Sequence, residues 1–135
     1  MVKHNLKYGD ITERIIGCAM RVHSFLGNGF QEVIYQRALE IEFQLASLAY
    51  KRELEMVIYY RNHKKPIGKR RVDFLVENVV LVELKAITQL NDVHYAQIIN
   101  YLEAYKLEVG LLINFGDKSL KFKRFVKSRP RIDTD

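Results

Sequence analysis

Between Arg71 and Ile87 the chain reads RVDFLVENVVLVELKAI, and few folds accommodate that run. Its Val/Leu content predicts two strands joined by a tight turn at Glu77-Asn78. In the second strand Val79, Val80, Leu81, Val82, Leu84 and Ile87 make both faces apolar, as in a strand covered on both sides. Yet Asp73, Glu83 and Lys85 interrupt the pattern. Side chains alternate along a strand, so Glu83 and Lys85 share a face. Charges set into such a run are costly unless they are paired or bind something.

The flanking sequence supplies layers to cover those strands. Ile11, Ile15, Cys18, Ala19, Val22, Phe25 and Leu26 recur at helical spacing, with Asp10 or Thr12 available as a cap and Gly27-Asn28-Gly29 as a break. Ile34, Ala38, Ile41, Leu45 and Leu48 mark a second helix from about Gln31 to Ala46. A β-prone stretch, Leu54 to Tyr60, precedes a polar turn containing Pro66 and Gly68. The next two strands run from Lys69 to Val76 and from Val79 to Ile87. A helix from Asn91 to Lys106 then leads to the apolar strand Val109 to Phe115 and a last strand, Leu120 to Val126. A helix between two buried strands implies a crossover to a parallel neighbour. The expected fold is therefore α/β (α+β): a mixed sheet flanked by helices in the order ααβββαββ. A chain of 135 residues suits a single domain, expected over residues 1–127, with 128–135 as a loose tail.

Composition removes several function classes. There is no long uncharged apolar run to span a membrane and no apolar segment at the start to act as a secretory signal, so a cytoplasmic protein is expected. One cysteine, Cys18, excludes an internal disulfide and a multi-cysteine metal site. The net charge of +6 is unevenly spread. Thirteen of the 22 basic residues fall in two acid-free segments, Arg61 to Arg71 and Lys118 to Arg131, and the remainder is net acidic. Such segments suit a polyanion. Lys64, Lys65, Lys69, Arg70, Lys121, Lys123 and Lys127 are the candidate nucleic-acid contacts.

An acid early in one strand followed by Glu-x-Lys in the next is the layout of a metal-dependent phosphodiesterase site. Two carboxylates, Asp73 and Glu83, offer hard oxygen ligands that favour Mg²⁺ or Mn²⁺, and the Leu84 carbonyl is a possible addition. The metal would polarise a phosphodiester and acidify a water. Lys85 would stabilise the attacking hydroxide or the charge growing on phosphorus. Two helical patterns bear on the same place. Gly29-x-x-Glu32-x-x-Tyr35 puts an acid in a helix's first turn. Gln97 and Tyr101, spaced i,i+4, share a face of the helix that follows the Glu-x-Lys strand, with His94 one turn earlier.

These pieces together resemble the PD-(D/E)XK nuclease superfamily, and within it the small GxxExxY proteins. The resemblance rests on GFQEVIY (Gly29 to Tyr35), RVDFLVENVVLVELKAI, VHYAQIINYL (Val93 to Leu102) and VGLLINFG (Val109 to Gly116), and spans about Ile11 to Val126. It implies a restriction-endonuclease-like core. Asp73 and Glu83 would be metal ligands, Glu32 an added helical acid at the metal, Lys85 the catalytic lysine, and Gln97 and Tyr101 a Q-x-x-x-Y motif that contacts the site or the nucleic acid. Val72 replaces the proline of the motif's name, and the turn after Tyr60 lacks an expected glycine. The expected activity is Mg²⁺- or Mn²⁺-dependent hydrolysis of phosphodiesters, with DNA as the favoured substrate. The alternatives are a non-catalytic nucleic-acid-binding or partner-regulating domain of the same fold, and a protein-interaction module with a basic tail. A homodimer is a further expectation, with Tyr50, Tyr59 and Tyr60 as an apolar contact.

Overall fold

The structure is a computed structural model and describes residues 6–127. Helices α1 (Gly9–Leu26) and α2 (Glu32–Leu45) precede strands β1 (Tyr50–Ile58), β2 (Gly68–Val76) and β3 (Val80–Lys85); α3 (Asp92–Tyr105), β4 (Val109–Asn114) and β5 (Lys121–Val126) follow. The expected order ααβββαββ is the observed one. The five strands lie in the sheet in chain order, antiparallel except for the β3/β4 pair, which α3 connects in parallel. The proposed tail at 128–135, with Arg129 and Arg131, lies outside the described residues. Among the described residues no helix is long and apolar enough to cross a membrane.

The amphipathic stripes sort the helices to opposite faces. Ile15, Cys18, Ala19 and Val22 of α1 and Tyr35, Leu39 and Phe43 of α2 bury against Phe74, Val80, Val82, Leu84, Leu111 and Ile113. On the other face Ile98 and Leu102 of α3 bury against Val72, Leu81, Leu112 and Phe125. Strands β3 and β4 are covered on both sides, as their unbroken apolar runs predict. Cys18 is buried in the first of these cores, its thiol donating to the Glu42 carbonyl and accepting from Arg21.

Some local signals hold and others shift. Glu77 and Asn78 both adopt positive φ, and Val79 N–H donates to the Val76 carbonyl at 3.1 Å, closing the tight turn. Gly27, at φ 70°, ends α1. The α1 cap differs from expectation: the helix begins at Gly9 after Tyr8, which places Asp10 in the first turn, while the Thr12 hydroxyl donates back to the Gly9 carbonyl. Strand β1 starts at Tyr50 rather than Leu54. Tyr50 packs on Phe43 and Phe74, and its hydroxyl donates to Glu40, so it faces inward and is not free for a dimer contact; Tyr59 and Tyr60 are exposed.

One close approach locks the end of the β3/β4 pair. A Cβ on Gly116 would lie 2.2 Å from the Ile87 carbonyl oxygen and 2.3 Å from its nitrogen. Asn114 ties the same residues: its Oδ1 accepts from the Ile87 and Gly116 N–H groups, and its Nδ2 donates to the Ile87 carbonyl. Gly116→Ala is expected to destabilise by about 3 kcal/mol, the upper end of overpacking effects. A urea unfolding curve matching wild type would contradict this.

Candidate active site

The site begins with a fault in the sheet. Pairing between β1 and β2 runs from Tyr50↔Val76 to Arg52↔Phe74 and resumes at Leu54↔Val72, skipping Glu53 and Asp73. Glu53 has φ 52°, a left-handed conformation that costs energy in a residue other than glycine. Across this break the faces exchange. Phe74 and Val76 belong to the core under α1 and α2, whereas Val72 belongs to the core under α3. At the same level β2 leaves β3: their pairing covers Phe74↔Val82 to Val76↔Val80, while β1 and β2 continue as a two-stranded arm to Ile58↔Gly68. A gap opens between β2 and β3, and Asp73 stands in it.

Both Asp73 oxygens are held. Oδ2 accepts the Leu84 N–H of β3 at 2.8 Å, a donor that the regular ladder would have used, and Oδ1 accepts from Gln36 Nε2 at 3.0 Å. A bond to an in-plane backbone N–H keeps the carboxylate near the plane of the sheet, reachable from either side. Gln36 is itself oriented by Arg52, whose guanidinium donates to Gln36 Oε1 at 3.0 and 3.1 Å and pairs with Glu40 at 3.2 Å. The sequence reading missed Gln36 and Arg52. Gln36 lies four residues after Glu32, on the same helix face, which is the signal that would have found it.

Glu83 approaches the gap from the α3 side. It is 5% exposed, and its Oε2 is buried with no hydrogen-bond partner. Burial, and after it the charge of Asp73, pushes this carboxyl up to about 8. Asp73 is also raised by burial, against the pull of the Leu84 N–H. Glu32 is the first residue of α2 and borders an open cleft of about 360 Å³ with Gln36, Glu53, Arg71 and Asp73. Burial and then the charge of Asp73 raise it too, while Lys85 and Arg70 oppose. Lys85 ends β3, half-buried, in a tight seam with Glu83, His94, Gln97 and Tyr101.

Thus Asp73 interacts electrostatically with Glu83, Glu32 and Lys85, and Gln97 and Tyr101 adjoin Glu83 and Lys85. His94 caps α3, its Nδ1 accepting the Asn91 N–H at 3.1 Å. Arg70, expected as a backbone contact on the hairpin, adjoins these residues: its guanidinium lies 5.1 Å from the Tyr101 ring centre and 4.0 Å from Glu83 Oε1. Of the other basic candidates, Lys69 pairs with Glu55 and Lys127 with Glu103. Lys64 and Lys65 are exposed in the β1/β2 turn.

The donor set fits a hard divalent cation. Burial and the neighbouring Asp73 raise the proton affinity of Glu83, and its unpartnered Oε2 has an unused ligand position. Among the described residues no three His, Cys, Asp or Glu side chains form a ready-made metal cluster.

A mixed sheet split at an acidic strand residue, with Glu-x-Lys on the neighbouring strand and helices on both faces, defines a restriction-endonuclease-like nuclease fold. The PD-(D/E)XK nuclease superfamily profile matches residues 9–125. The chain therefore belongs to that superfamily. The crystal structure of SSO0001 shares the fold, with a TM-score of 0.54 at 20% identity over 70% of this chain. The match spans about half of that protein, 48% of its chain. No curated protein matches the chain significantly.

Proposed function

We propose that this protein is a divalent-metal-dependent nuclease of the GxxExxY type that hydrolyses phosphodiester bonds in DNA. The observation that carries the reading is the Asp73/Glu83 pair at the split between β2 and β3, with a buried carboxylate oxygen left unpartnered and Lys85 two residues beyond. Asp73 and Glu83 would hold Mg²⁺ or Mn²⁺, with Glu32 across the cleft as an outer acid. The cation would supply charge neutralisation at the scissile phosphate and a more acidic water. Lys85 donates to the phosphate oxygens as their charge grows. Gln97 and Tyr101 line the Lys85 side and exclude bulk water. Arg70 lowers the proton affinity of Glu83, easing its ionisation for the cation. Gly29, Glu32 and Tyr35 support the GxxExxY assignment: the Tyr35 hydroxyl donates to the Gly27 carbonyl and accepts the Phe30 N–H, fixing the turn that delivers Glu32. The test is metal-dependent cleavage of duplex, single-stranded and branched DNA and of RNA, with Lys85→Ala as control; a wild type inert on all of them in Mg²⁺ and Mn²⁺ would favour the non-catalytic binding domain.

Two narrower results are expected. Gln36→Leu should weaken Mn²⁺ affinity by about 10–100-fold, as loss of a ligand-orienting partner does; titration calorimetry that finds wild-type affinity would remove Gln36 from the site. Lys64→Ala with Lys65→Ala should flatten the salt dependence of duplex binding by about 0.9 in slope for each phosphate left without its lysine. An unchanged slope would make the turn a bystander.

A further inference from the structure

A second concavity lies beside the candidate site on the α3 face. It encloses about 540 Å³ and is lined by Thr88, Leu90, Tyr95, Lys121, Phe122 and Lys123, among others. The strand register fixes where it sits. Lys85 pairs with Asn114, which pairs with Lys121; Glu83 pairs with Leu112, which pairs with Lys123. Directly paired residues share a face, so both lysines point to the α3 side, two strands across from Glu83 and Lys85. Two inter-strand spacings are about 10 Å, roughly the rise of three stacked nucleotides of one strand.

The walls combine aromatic and cationic groups. Tyr95 packs on Phe125 at 5.7 Å, and the Lys123 ammonium lies 5.6 Å from the Tyr95 ring centre and 5.7 Å from that of Phe125. Among the described residues no carboxylate forms an ion pair with Lys123 or Lys121; the Lys121 ammonium donates to the Ser119 hydroxyl at 3.0 Å. The one acid in the lining, Asp117, accepts the Lys118 N–H through its carboxylate. The floor is rigid, because Asn114 and Gly116 clamp Ile87 at the start of the loop that carries Thr88 and Leu90.

We propose that this cavity is a nucleotide subsite, taking one unstacked base against Tyr95 and its phosphate on Lys121 and Lys123, about 10 Å across the sheet from the phosphate at Lys85. A base inside a duplex is paired and stacked on both sides, so the subsite selects single-stranded or frayed DNA. The position of the scissile phosphate rests on the nuclease reading; the cavity and its lining do not. Stacking on an aromatic side chain strengthens binding by at least roughly fivefold per base.

The test measures binding in EDTA, where metal-dependent cleavage is absent. Single-stranded and blunt duplex oligonucleotides of one length are titrated by fluorescence anisotropy, with 2-aminopurine scanned along the single strand. Wild type should prefer the single strand by roughly fivefold or more, and one 2-aminopurine position should respond above its neighbours. Tyr95→Leu, and separately Lys121→Gln with Lys123→Gln, should abolish the preference. Equal affinity for the two forms, or a preference that survives the double lysine change, overturns the proposal. Should Tyr95→Leu not fold, the lysine pair on the edge strand and the wild-type 2-aminopurine scan decide it. A single-strand preference without cleavage in Mn²⁺ would keep the subsite and defeat the nuclease reading. Cleavage without such a preference would do the reverse.

Discussion

Lys85→Ala is expected to cut phosphodiester cleavage by about 10²–10³-fold, the loss seen when one donor to transition-state charge is removed, while leaving DNA affinity nearly intact. Lys85 ends β3 in the seam with Glu83, Gln97 and Tyr101, set to act on charge that develops only as the bond breaks. On the proposed function, ground-state affinity would come from the exposed lysines of the arm and of β5, which this change does not touch. An interaction stronger in the transition state than in the bound substrate raises kcat, so its loss lowers kcat and spares binding. Lys85 also holds down the proton affinity of Glu32 and Asp73, so the variant should bind Mn²⁺ more weakly at neutral pH. Cleavage rates measured at saturating metal separate the two effects. Equal rates for wild type and variant would assign the activity to another protein or another site.

In EDTA, Glu83→Gln should be more stable than wild type at pH 8, and the advantage should vanish near pH 4. Glu83 is raised from an ordinary 4.5 to about 8 by burial and by Asp73, so the folded state keeps a proton that the unfolded chain releases. Stability from this group is full below about pH 4.5 and is lost as the pH climbs through about 8. Burial sets the sign; of the charges facing it, Asp73 of β2 raises the carboxyl further, while Arg70 of β2 lowers it. A tenfold change in proton affinity corresponds to about 1.4 kcal/mol, which gives a few kcal/mol for Glu83, shared with Asp73. That difference moves a melting point by roughly 5–10 °C. Mn²⁺ at a hundred times its dissociation constant should stabilise wild type by about 2.7 kcal/mol and Glu83→Gln by far less. If the wild-type melting point ignores both pH and Mn²⁺, these carboxylates do not bind a metal as a pair.

The parts of this fold written in periodicity were readable in advance. The stripe of α1, the two-sided apolar runs of β3 and β4, and the crossover implied by α3 each follow from where apolar side chains recur. Asp73, Glu83 and Lys85 stood out because charge inside such runs needs a reason. What periodicity could not show was a change of period. The break at Glu53 and Asp73 moves β2 from one face to the other within three residues, and no glycine or proline marks it. For the same reason β1 read as starting at Leu54: Tyr50 and Arg52 face α2, whereas Leu54 and Met56 face α3, so no single alternation spans the strand. Arg70 looked like one more cation in a basic turn, because its neighbour Tyr101 is 31 positions away along the chain.

The break also bears on how this chain can be engineered. Glu53 in a left-handed conformation and Asp73 outside the ladder are the places where a stability screen would find easy gains, through residues that restore regular pairing. Each such gain would close the gap between β2 and β3 that exposes the acid. Screens of this scaffold by melting temperature alone should therefore select against the proposed site, and the effect should be visible as substitutions at 53 and 73 before any appear at Lys85.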